Sequence, residues 1–530
     1  MDRPLAYRAS RRIALLALVS VAGLLTPALE DPAGAVPVGS AFVTTSGTQL
    51  MLDGHPWFLY GASTYGTSNP GAPGTIPALI SLADQAGLNT LRIVNMFDEG
   101  GSDAAAPFDA ANWQRVDQLL AAMRGAGLRA ILDLSAFRNH LHNRELLLRG
   151  QDAIADLYPI PSPQCDGKSG DDLSRCVGVY WCIDNPTLCT GPYSPARASE
   201  WDTFLGWVAT RTNTVTGVQY RDDPTIAIVS FAGEPNPPNS GEPLKPTTTE
   251  LTDFYERVFD QWKTYDPHHL VTSGGLLHID WEEVYASGSG IDHEAIFALA
   301  NQDVLSIHDY VPALPPNPVT DYKVQKVAAA AALVNKPWIN EEFGFLQAPG
   351  GFTEADRAAW FQIIYDNGAD PIIGVPAAGV AFWNLGAEVA GASHDVNPGT
   401  PATWAVVQQN AILAWRFVGF SSPVDAEPVL NVVKAGQTVP LRWRVLDAVG
   451  DPVSTIASVT VRAETLLCSD GSTGDLVEEV GSGSSGFQNL GDGYYQFNWK
   501  TPKTYAKSCK TVSIETDVGL AHEAFFRFTK

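Results

Sequence analysis

Two glutamates, Glu234 and Glu342, stand at the ends of short apolar segments and could act as a pair of catalytic carboxylates. In such a pair, one carboxylic acid protonates the departing oxygen while the other carboxylate meets the developing cationic carbon. Hydrolysis of a glycosidic bond requires this division of roles. The hypothesis demands that two residues far apart in the chain meet at one site, so it depends on the fold.

Four further side chains lie at or near the ends of similar apolar segments and are candidates for substrate binding: Arg92, His308, Tyr310 and Trp383. Because side chains alternate along a strand, His308 and Tyr310 should face the same way. Arg92 and Tyr310 could hold Glu342 ionised by charge and hydrogen bonding. Trp383 offers a flat face to the apolar side of a sugar ring. This chemistry needs neither a metal nor an organic cofactor, and we expect none.

Eight short apolar segments alternate with amphipathic, helix-like segments and predict the fold that would carry these residues. The segments are Trp57–Gly61, Asn89–Val94, Arg129–Ser135, Thr225–Gly233, His269–Ser273, Val304–His308, Pro337–Glu342 and Val380–Leu385. Eight buried strands alternating with helices predict a (β/α)8 barrel, or TIM barrel, whose functional residues lie at the C-terminal strand ends. Strict alternation turns Glu341 to the face opposite Glu342, so we expect Glu341 to be structural.

The C-terminal part of the chain has a different pattern, which begins after a predicted last helix at Trp404–Phe417. Short alternating segments separated by glycine and aspartate turns follow: Thr438–Val445, Ser458–Ala463, Tyr494–Trp499 and Ala524–Thr529. They predict a small all-β, immunoglobulin-like sandwich, with Cys468 bridged to Cys509. We therefore expect a catalytic barrel over 36–420 and a sandwich domain over 421–530.

The N-terminus, residues 1–35, has the pattern of a secretory signal peptide. Four arginines precede an apolar run, and Ala33-Gly34-Ala35 provides a small-residue cleavage site. The alternative is an uncleaved membrane anchor, for which the apolar run is marginally long. The pattern predicts a secreted, extracellular protein with no membrane contact beyond this segment.

Four of the six cysteines form a cluster that agrees with export. Cys165, Cys176, Cys182 and Cys189 lie in a long insertion at about 150–195, in the third strand–helix unit. An even number of cysteines in an exported chain predicts disulfides, here two bridges of open connectivity. A zinc site is the alternative, but the stretch has neither a Cys-x2-Cys pair nor a histidine.

The balance of charge narrows the range of partners. The chain carries 58 acidic and 34 basic residues, for a formal net charge of −24. Nucleic acid is excluded as a partner, because phosphate binding needs basic patches. A neutral polysaccharide or oligosaccharide is not repelled by this field. We expect a monomer that acts on such a substrate.

Residues 42–420 resemble glycoside hydrolase family 5, and more narrowly its endo-β-1,4-mannanases. Three motifs carry the resemblance: Arg211–Ile226 (RTNTVTGVQYRDDPTI), Gly233-Glu234-Pro235 and Lys336–Gly344 (KPWINEEFG). His308-x-Tyr310 and Trp383 match further family positions. The resemblance implies that Glu234 is the acid/base and Glu342 the nucleophile of a retaining endo-β-1,4-mannanase.

Two departures from the family pattern keep other readings open. Gly233 stands where the family has an asparagine, and Ser135 ends predicted strand three where a histidine or asparagine is usual. Asn236 or Asn139 could replace the missing asparagine. The alternatives are an endo-β-1,4-glucanase, an exo-acting β-glycosidase, or a catalytically weak glycan-binding protein. The segment Asn489–Pro502 resembles small domains of exported actinobacterial proteins and indicates location more than activity.

Overall fold

The computed structural model describes thirteen ranges of the chain: 38–65, 76–97, 99–277, 288–310, 318–348, 351–369, 374–386, 393–425, 429–447, 450–466, 473–483, 486–516 and 521–530. The predicted signal peptide at 1–35 lies outside them. Within these ranges, no helix combines the length and the apolar character that crossing a bilayer requires.

Eight parallel strands form a nearly closed barrel, as the sequence predicts. They are β4 (Leu59–Ser63), β5 (Thr90–Ile93), β6 (Arg129–Asp133), β7 (Ile226–Ser230), β8 (Leu270–Thr272), β9 (Leu305–Tyr310), β10 (Trp338–Gly344) and β11 (Gly379–Phe382). Their order is β8-β7-β6-β5-β4-β11-β10-β9, and a parallel bridge between Leu276 and Ile307 joins the two outer strands. Each predicted segment overlaps one of these strands. The arrangement is consistent with a (β/α)8 barrel.

Ten α-helices are described in this part of the chain. They are α1 (Ile76–Gln85), α2 (Ala110–Gly125), α3 (Ser135–Ala155), α4 (Gly170–Asp184), α5 (Ala198–Thr210), α6 (Thr248–Tyr265), α7 (His293–Ala298), α8 (Pro318–Val334), α9 (Glu354–Ala369) and α10 (Pro401–Asn410). The predicted last helix, Trp404–Phe417, was wrong at its C-terminal end. There α10 gives way to a 3-10 turn at Ala411–Ala414 and then to a strand of the C-terminal domain.

The barrel strands are buried on both faces, because side chains fill the interior and helices cover the outside. All five residues of β6 and of β7 are buried. The N-terminal end of the barrel is covered by a small antiparallel sheet of β1 (Thr44–Ser46), β2 (Gln49–Leu52) and β3 (His55–Pro56). Leu50 and Leu52 of this sheet belong to one apolar cluster with barrel residues such as Ile228.

The cysteine cluster forms two disulfides, Cys165–Cys176 and Cys182–Cys189. These bridges settle the connectivity that the sequence left open, and they take up the thiols that a zinc site would need. The insertion packs on the barrel through α3 and α4, which meet at glycines. A Cβ on Gly150 would lie 1.6 Å from the carbonyl oxygen of Ser174, so only glycine permits this approach.

The C-terminal part is an all-β domain of two sheets around a separate core. One sheet has the order β12-β14-β18-β17 and the other β13-β20-β19-β15-β16. The strands are β12 (Arg416–Ser421), β13 (Leu430–Lys434), β14 (Thr438–Leu446), β15 (Val459–Leu466), β16 (Thr473–Gly483), β17 (Phe487–Gly491), β18 (Tyr494–Lys500), β19 (Cys509–Thr516) and β20 (Ala521–Thr529). Trp443, Trp499 and Phe526 lie in their shared core. Cys509 is disulfide-bonded, and Cys468, its predicted partner, lies outside the described residues.

Candidate active site

The six residues singled out from the sequence meet at the C-terminal end of the barrel. A cavity of about 260 Å³ opens there, and Arg92, Glu234, His308, Glu342 and Trp383 all line it. The sixth, Tyr310, is the last residue of β9 and reaches the cavity edge through its hydroxyl group. The structure thus brings all six side chains together at this rim.

Glu342 lies in β10 between two hydrogen-bond donors. Arg92 of β5 donates to one carboxylate oxygen, and the hydroxyl of Tyr310 donates to the other at 2.7 Å. Arg92 also contacts Asp133 at the end of β6. Burial alone would lower the pKa of Arg92, but the charges of Asp133 and Glu342 raise it. Arg92 is therefore a permanent cation that fixes the orientation of the Glu342 carboxylate.

Tyr310 is equally unable to give up its proton in this setting. Burial raises the pKa of its phenol strongly, and the neighbouring carboxylate of Glu342 raises that pKa further. The phenol therefore stays neutral and remains a hydrogen-bond donor near neutral pH. Glu342 is thus held by two donors whose protonation state does not change.

Glu234 lies in the loop after β7, which ends at Ser230 and not at Gly233 as the sequence pattern predicted. Its φ of 50° is in the left-handed region, which non-glycine residues seldom occupy and which is common at functional sites. The Glu234 N–H donates to the carbonyl of Gly275 at 3.0 Å, and Gly233 donates to the Ser135 hydroxyl at 2.8 Å. These bonds fix the backbone conformation of the loop, in which Glu234 lines the cavity.

The side chain of Glu234 pairs with His308, not with an arginine. The Nδ1 atom of His308 lies 2.9 Å from a carboxylate oxygen of Glu234. Burial would raise the pKa of Glu234, but the hydrogen bond and charge of His308 lower it to about 2. Burial would lower the pKa of His308, whereas Glu342, Glu234 and the adjacent Glu341 raise it to about 10. In the free protein, the proton of this pair therefore resides on His308.

The two candidate catalytic carboxylates are close neighbours. One oxygen of Glu234, one of Glu342 and one ring nitrogen of His308 lie within 4.8 Å of one another. These three atoms have the spacing of ligands to a small cation, but the guanidinium of Arg92 already supplies positive charge at Glu342. The spacing leaves room between the carboxylates for one reacting carbon.

Glu341 is not on the outer face of the barrel, and this expectation was wrong. The register between β9 and β10 shifts after Asn340, which pairs with Ile307, because Glu342 pairs with His308 and leaves Glu341 as an extra residue. Such a bulge places two residues of one strand opposite one of its partner and interrupts alternation. Glu341 is fully buried and lies 3.4 Å from Nε2 of His308, beneath the site.

The surroundings of Gly233 also differ from the sequence-based expectation. Ser135 does not end a strand, because β6 stops at Asp133 and Ser135 is the first residue of α3. Neither Asn236 nor Asn139 is among the described residues that line the cavity, and Asn236 instead bonds to the hydroxyl of Tyr193.

Arg138 of α3 lies beside Gly233, and the sequence pattern did not predict it as a site residue. It donates to the carbonyls of Gly233 at 2.8 Å and of Glu234 at 3.2 Å, and it lines the cavity. Asp133 was missed as well, and Glu341 was expected only as a structural residue on the other face of its strand. Charged residues inside otherwise apolar strand segments were the signal that could have identified both.

Trp383 follows β11 directly and lines the cavity with its side chain. Its ring lies 5.2 Å from that of Tyr65, at an angle of 48° between the planes. Tyr65 is 44% exposed, so an aromatic surface continues from the cavity toward solvent. An aromatic face of this kind suits the apolar side of a sugar ring.

Comparison with known proteins finds mannanases both by sequence and by structure. No protein-family model matches the chain. Over 66% of its length it is 27% identical to mannan endo-1,4-beta-mannosidase 8 of Oryza sativa subsp. japonica, of which 92% is covered. Mannan endo-1,4-beta-mannosidase 7 of the same plant is 27% identical, again over 66% of this chain and over 90% of the relative. The endo-1,4-beta-mannanase structure from Rhizomucor miehei is 22% identical and covers 70% of this chain and 99% of its own, with a TM-score of 0.49.

Proposed function

We propose that this chain is a retaining endo-β-1,4-mannanase, a glycoside hydrolase that cleaves mannan-type polysaccharide by double displacement. The observation that carries the proposal is the separation of the two carboxylates, which bring one oxygen each within 4.8 Å. Retaining pairs are about 5 Å apart, whereas inverting pairs stand about 6.5–9.5 Å apart to admit a water molecule. The spacing supports attack by a carboxylate and not by water in the first step.

The roles follow from the contacts of each carboxylate. Glu342, oriented by Arg92 and Tyr310, attacks the anomeric carbon, while Glu234 protonates the leaving oxygen. The C–O bond breaks and a glycosyl ester forms on Glu342. Glu234 then takes a proton from water, which attacks the same carbon and releases Glu342. No step needs a metal or an organic cofactor.

The choice of mannan rests on the relatives, whose names specify it. An endo-β-1,4-glucanase, an exo-acting β-glycosidase and a catalytically weak glycan-binding protein are the outcomes against which it is tested. The cavity of about 260 Å³ has room for one sugar ring, and the Trp383–Tyr65 surface extends it. These features support a polymeric or oligomeric sugar substrate.

We further propose the setting in which the enzyme works. Residues 1–35 act as a signal peptide, and the catalytic domain runs from residue 36 up to β12, which starts at Arg416 and pairs with β14. The strands from β12 to β20 form an immunoglobulin-like sandwich of the kind carried by exported actinobacterial proteins. The mature protein is a secreted monomer. The disulfides at Cys165–Cys176 and Cys182–Cys189 support export, because such bridges persist in oxidising compartments.

A substrate panel on the purified protein tests the proposal. Mannan, carboxymethyl-cellulose and aryl β-glycosides are incubated with the wild type, and product sizes are resolved. We expect oligosaccharides of mixed length from mannan. Glu342→Gln should abolish release, while the matched control Glu256→Gln, on an exposed position of α6, should retain it.

Each other outcome overturns a defined part of the proposal. Preferential cleavage of carboxymethyl-cellulose would replace mannanase by glucanase, and release of single sugars from chain ends would replace endo by exo action. Tight oligosaccharide binding in calorimetry, with no product after long incubation, would replace the enzyme by a binding protein.

A further inference from the structure

Glu341 is a buried carboxylate next to the candidate acid/base, and the mechanism above does not use it. Two donors and one ring nitrogen converge on one of its oxygens: the hydroxyl of Ser230 at 3.1 Å, the N–H of Gly275 at 2.7 Å and Nε2 of His308 at 3.4 Å. The bulge in β10 brings it there, directly behind the imidazole. His308 therefore lies between two carboxylates, with Glu234 on Nδ1 and Glu341 on Nε2.

The environment keeps Glu341 charged. Burial would raise its pKa, but the hydrogen bond from His308 and the charge of Arg92, whose Nε lies 3.9 Å away, lower the pKa to about 2. Its second oxygen has no hydrogen-bond partner among the described residues. A buried, ionised carboxylate with an unsatisfied oxygen is unfavourable unless a positive charge or a held proton compensates it. The imidazole of His308 is the neighbour that can supply either.

We propose that Glu341 is a positioning residue that keeps a proton on Nε2 of His308, so that Nδ1 can exchange a second proton with Glu234. The inference rests on the proposed acid/base role of Glu234. With Nε2 always protonated, the imidazole has two states. As imidazolium it donates from Nδ1 to the Glu234 carboxylate, and as neutral imidazole it accepts from the Glu234 carboxylic acid.

The number of protons is conserved at each step of the reaction. Before glycosylation, the Nδ1 proton moves to Glu234, which leaves His308 neutral with its Nε2–H still directed at Glu341. Glu234 passes that proton to the glycosidic oxygen as the C–O bond breaks. During deglycosylation, Glu234 receives a proton from water and returns it to Nδ1. The pair therefore starts and ends each cycle with one exchangeable proton.

Other charged and titratable groups surround the two residues on every side. The neighbouring strands and loops contribute Arg92, Asp133, Glu234, Glu342 and Tyr310, and helix α6 contributes Tyr255, whose hydroxyl donates to the carbonyl of Ala232. From the helices, Arg138 approaches Glu234, and Lys323 donates to the carbonyl of His308. Arg92 opposes a charge on His308, so the carboxylates must outweigh it. Glu341 is the one of these acids whose oxygen faces Nε2 and that takes no part in bond making.

The pH dependence of kcat/KM tests this role in Glu341→Gln. The amide keeps the size of the side chain and removes its negative charge, so the imidazolium is less stabilised and the pair loses its proton at lower pH. We expect the basic limb of the profile to move down by about one pH unit or more, and kcat at the optimum to fall about tenfold. Glu341→Asp, which keeps the charge, should restore much of the limb.

Ser230→Ala is the matched control, because it removes a neutral donor to the same carboxylate and leaves the charge. It should lower the melting temperature without moving the basic limb. If Glu341→Gln lost activity equally at all pH values, with the limb unmoved, the residue would be structural and the proposal wrong.

Nitrogen-15 NMR of His308 in the wild type supplies a second readout that needs no variant to fold. We expect Nε2 to stay protonated on both sides of the titration, with Nδ1 the nitrogen that changes. A neutral form protonated on Nδ1 would overturn the proposal. Both readouts are independent of the glycan: the pH profile uses whichever substrate the wild type cleaves, so a failure of mannan as substrate is distinguishable from a failure of this inference.

Discussion

The two carboxylates at the barrel mouth are held in opposite ways. The Glu342 side chain is 11% exposed and bonds to Arg92 and Tyr310, neither of which exchanges protons. The Glu234 side chain is 39% exposed and bonds to His308, an imidazole that does. Glu342 is thus fixed in direction by two hydrogen-bond donors, while Glu234 is paired with a titratable imidazole.

This difference is what a double displacement needs from its two acids. A nucleophile has to remain ionised and aligned through the whole cycle, whereas an acid/base has to gain and lose a proton once per cycle. Environments that separate the protonation behaviour of two like groups assign their roles. The contacts therefore support the same assignment of roles as the motif resemblance, on independent grounds.

The largest expected effect comes from removing each carboxylate in turn and changing the leaving group. Glu342→Gln should lose on the order of 10⁴-fold or more in kcat on every substrate, because no nucleophile remains. Glu234→Gln should lose a comparable factor on mannan oligosaccharides. On a dinitrophenyl glycoside, whose leaving group needs no protonation, Glu234→Gln should retain a rapid first burst of phenolate. Stopped-flow absorbance measures that burst.

Azide provides the control that distinguishes the nucleophile from the acid/base. In Glu234→Ala, azide should replace the water step and yield a glycosyl azide of retained configuration. In Glu342→Ala, it should enter from the vacated face and give the inverted azide. The opposite pattern of products would exchange the two assigned roles.

A second test weakens the contacts that orient Glu342 and leaves those of Glu234 unchanged. Arg92→Lys keeps one positive charge but cannot bond to Glu342 and Asp133 at once, since lysine lacks the planar fork of arginine. We expect kcat/KM to fall about 100-fold, with the basic limb of the pH profile unmoved, because the proton of the Glu234–His308 pair is untouched. Steady-state kinetics across pH measures both effects. If Arg92→Lys shifted the basic limb as far as Glu341→Gln does, the environments of Glu342 and Glu234 would not be independent.

The smallest expected effect is that of Gly233→Ala, which is compared with Gly275→Ala on the other side of His308. A Cβ on Gly233 would make ordinary contacts, 3.4 Å to the Ser135 hydroxyl and 3.5 Å to Cε1 of His308. Gly233→Ala should therefore change kcat/KM by less than about threefold. A Cβ on Gly275 would lie 1.7 Å from the His308 ring, so Gly275→Ala must displace the imidazole. It should lose about 100-fold, measured on the same substrate; equal effects of the two substitutions would show that the position of His308 is unimportant.

The sequence predicted the strands of the barrel because apolar periodicity reflects burial, and burial is uniform along β6 and β7. It also predicted which six side chains converge at one end. It failed where backbone geometry departs from regular alternation. The bulge at Glu341 and the left-handed turn at Glu234 arise from packing between strands, which no local pattern records. The disulfide pairing was left open for the same reason, because each bridge joins a cysteine of α4 to a segment just before or after that helix.

The stereochemistry of the first product tests the central claim, that Glu342 and Glu234 act as a nucleophile and an acid/base pair, most directly. Proton NMR of a short β-manno-oligosaccharide, recorded within the first minutes of cleavage, distinguishes the two anomers before they interconvert. Because an oxygen of Glu234 and one of Glu342 lie within 4.8 Å of each other, we expect the β-anomer to accumulate first. Initial accumulation of the α-anomer would mean that water attacks directly, and that Glu342 is not the nucleophile.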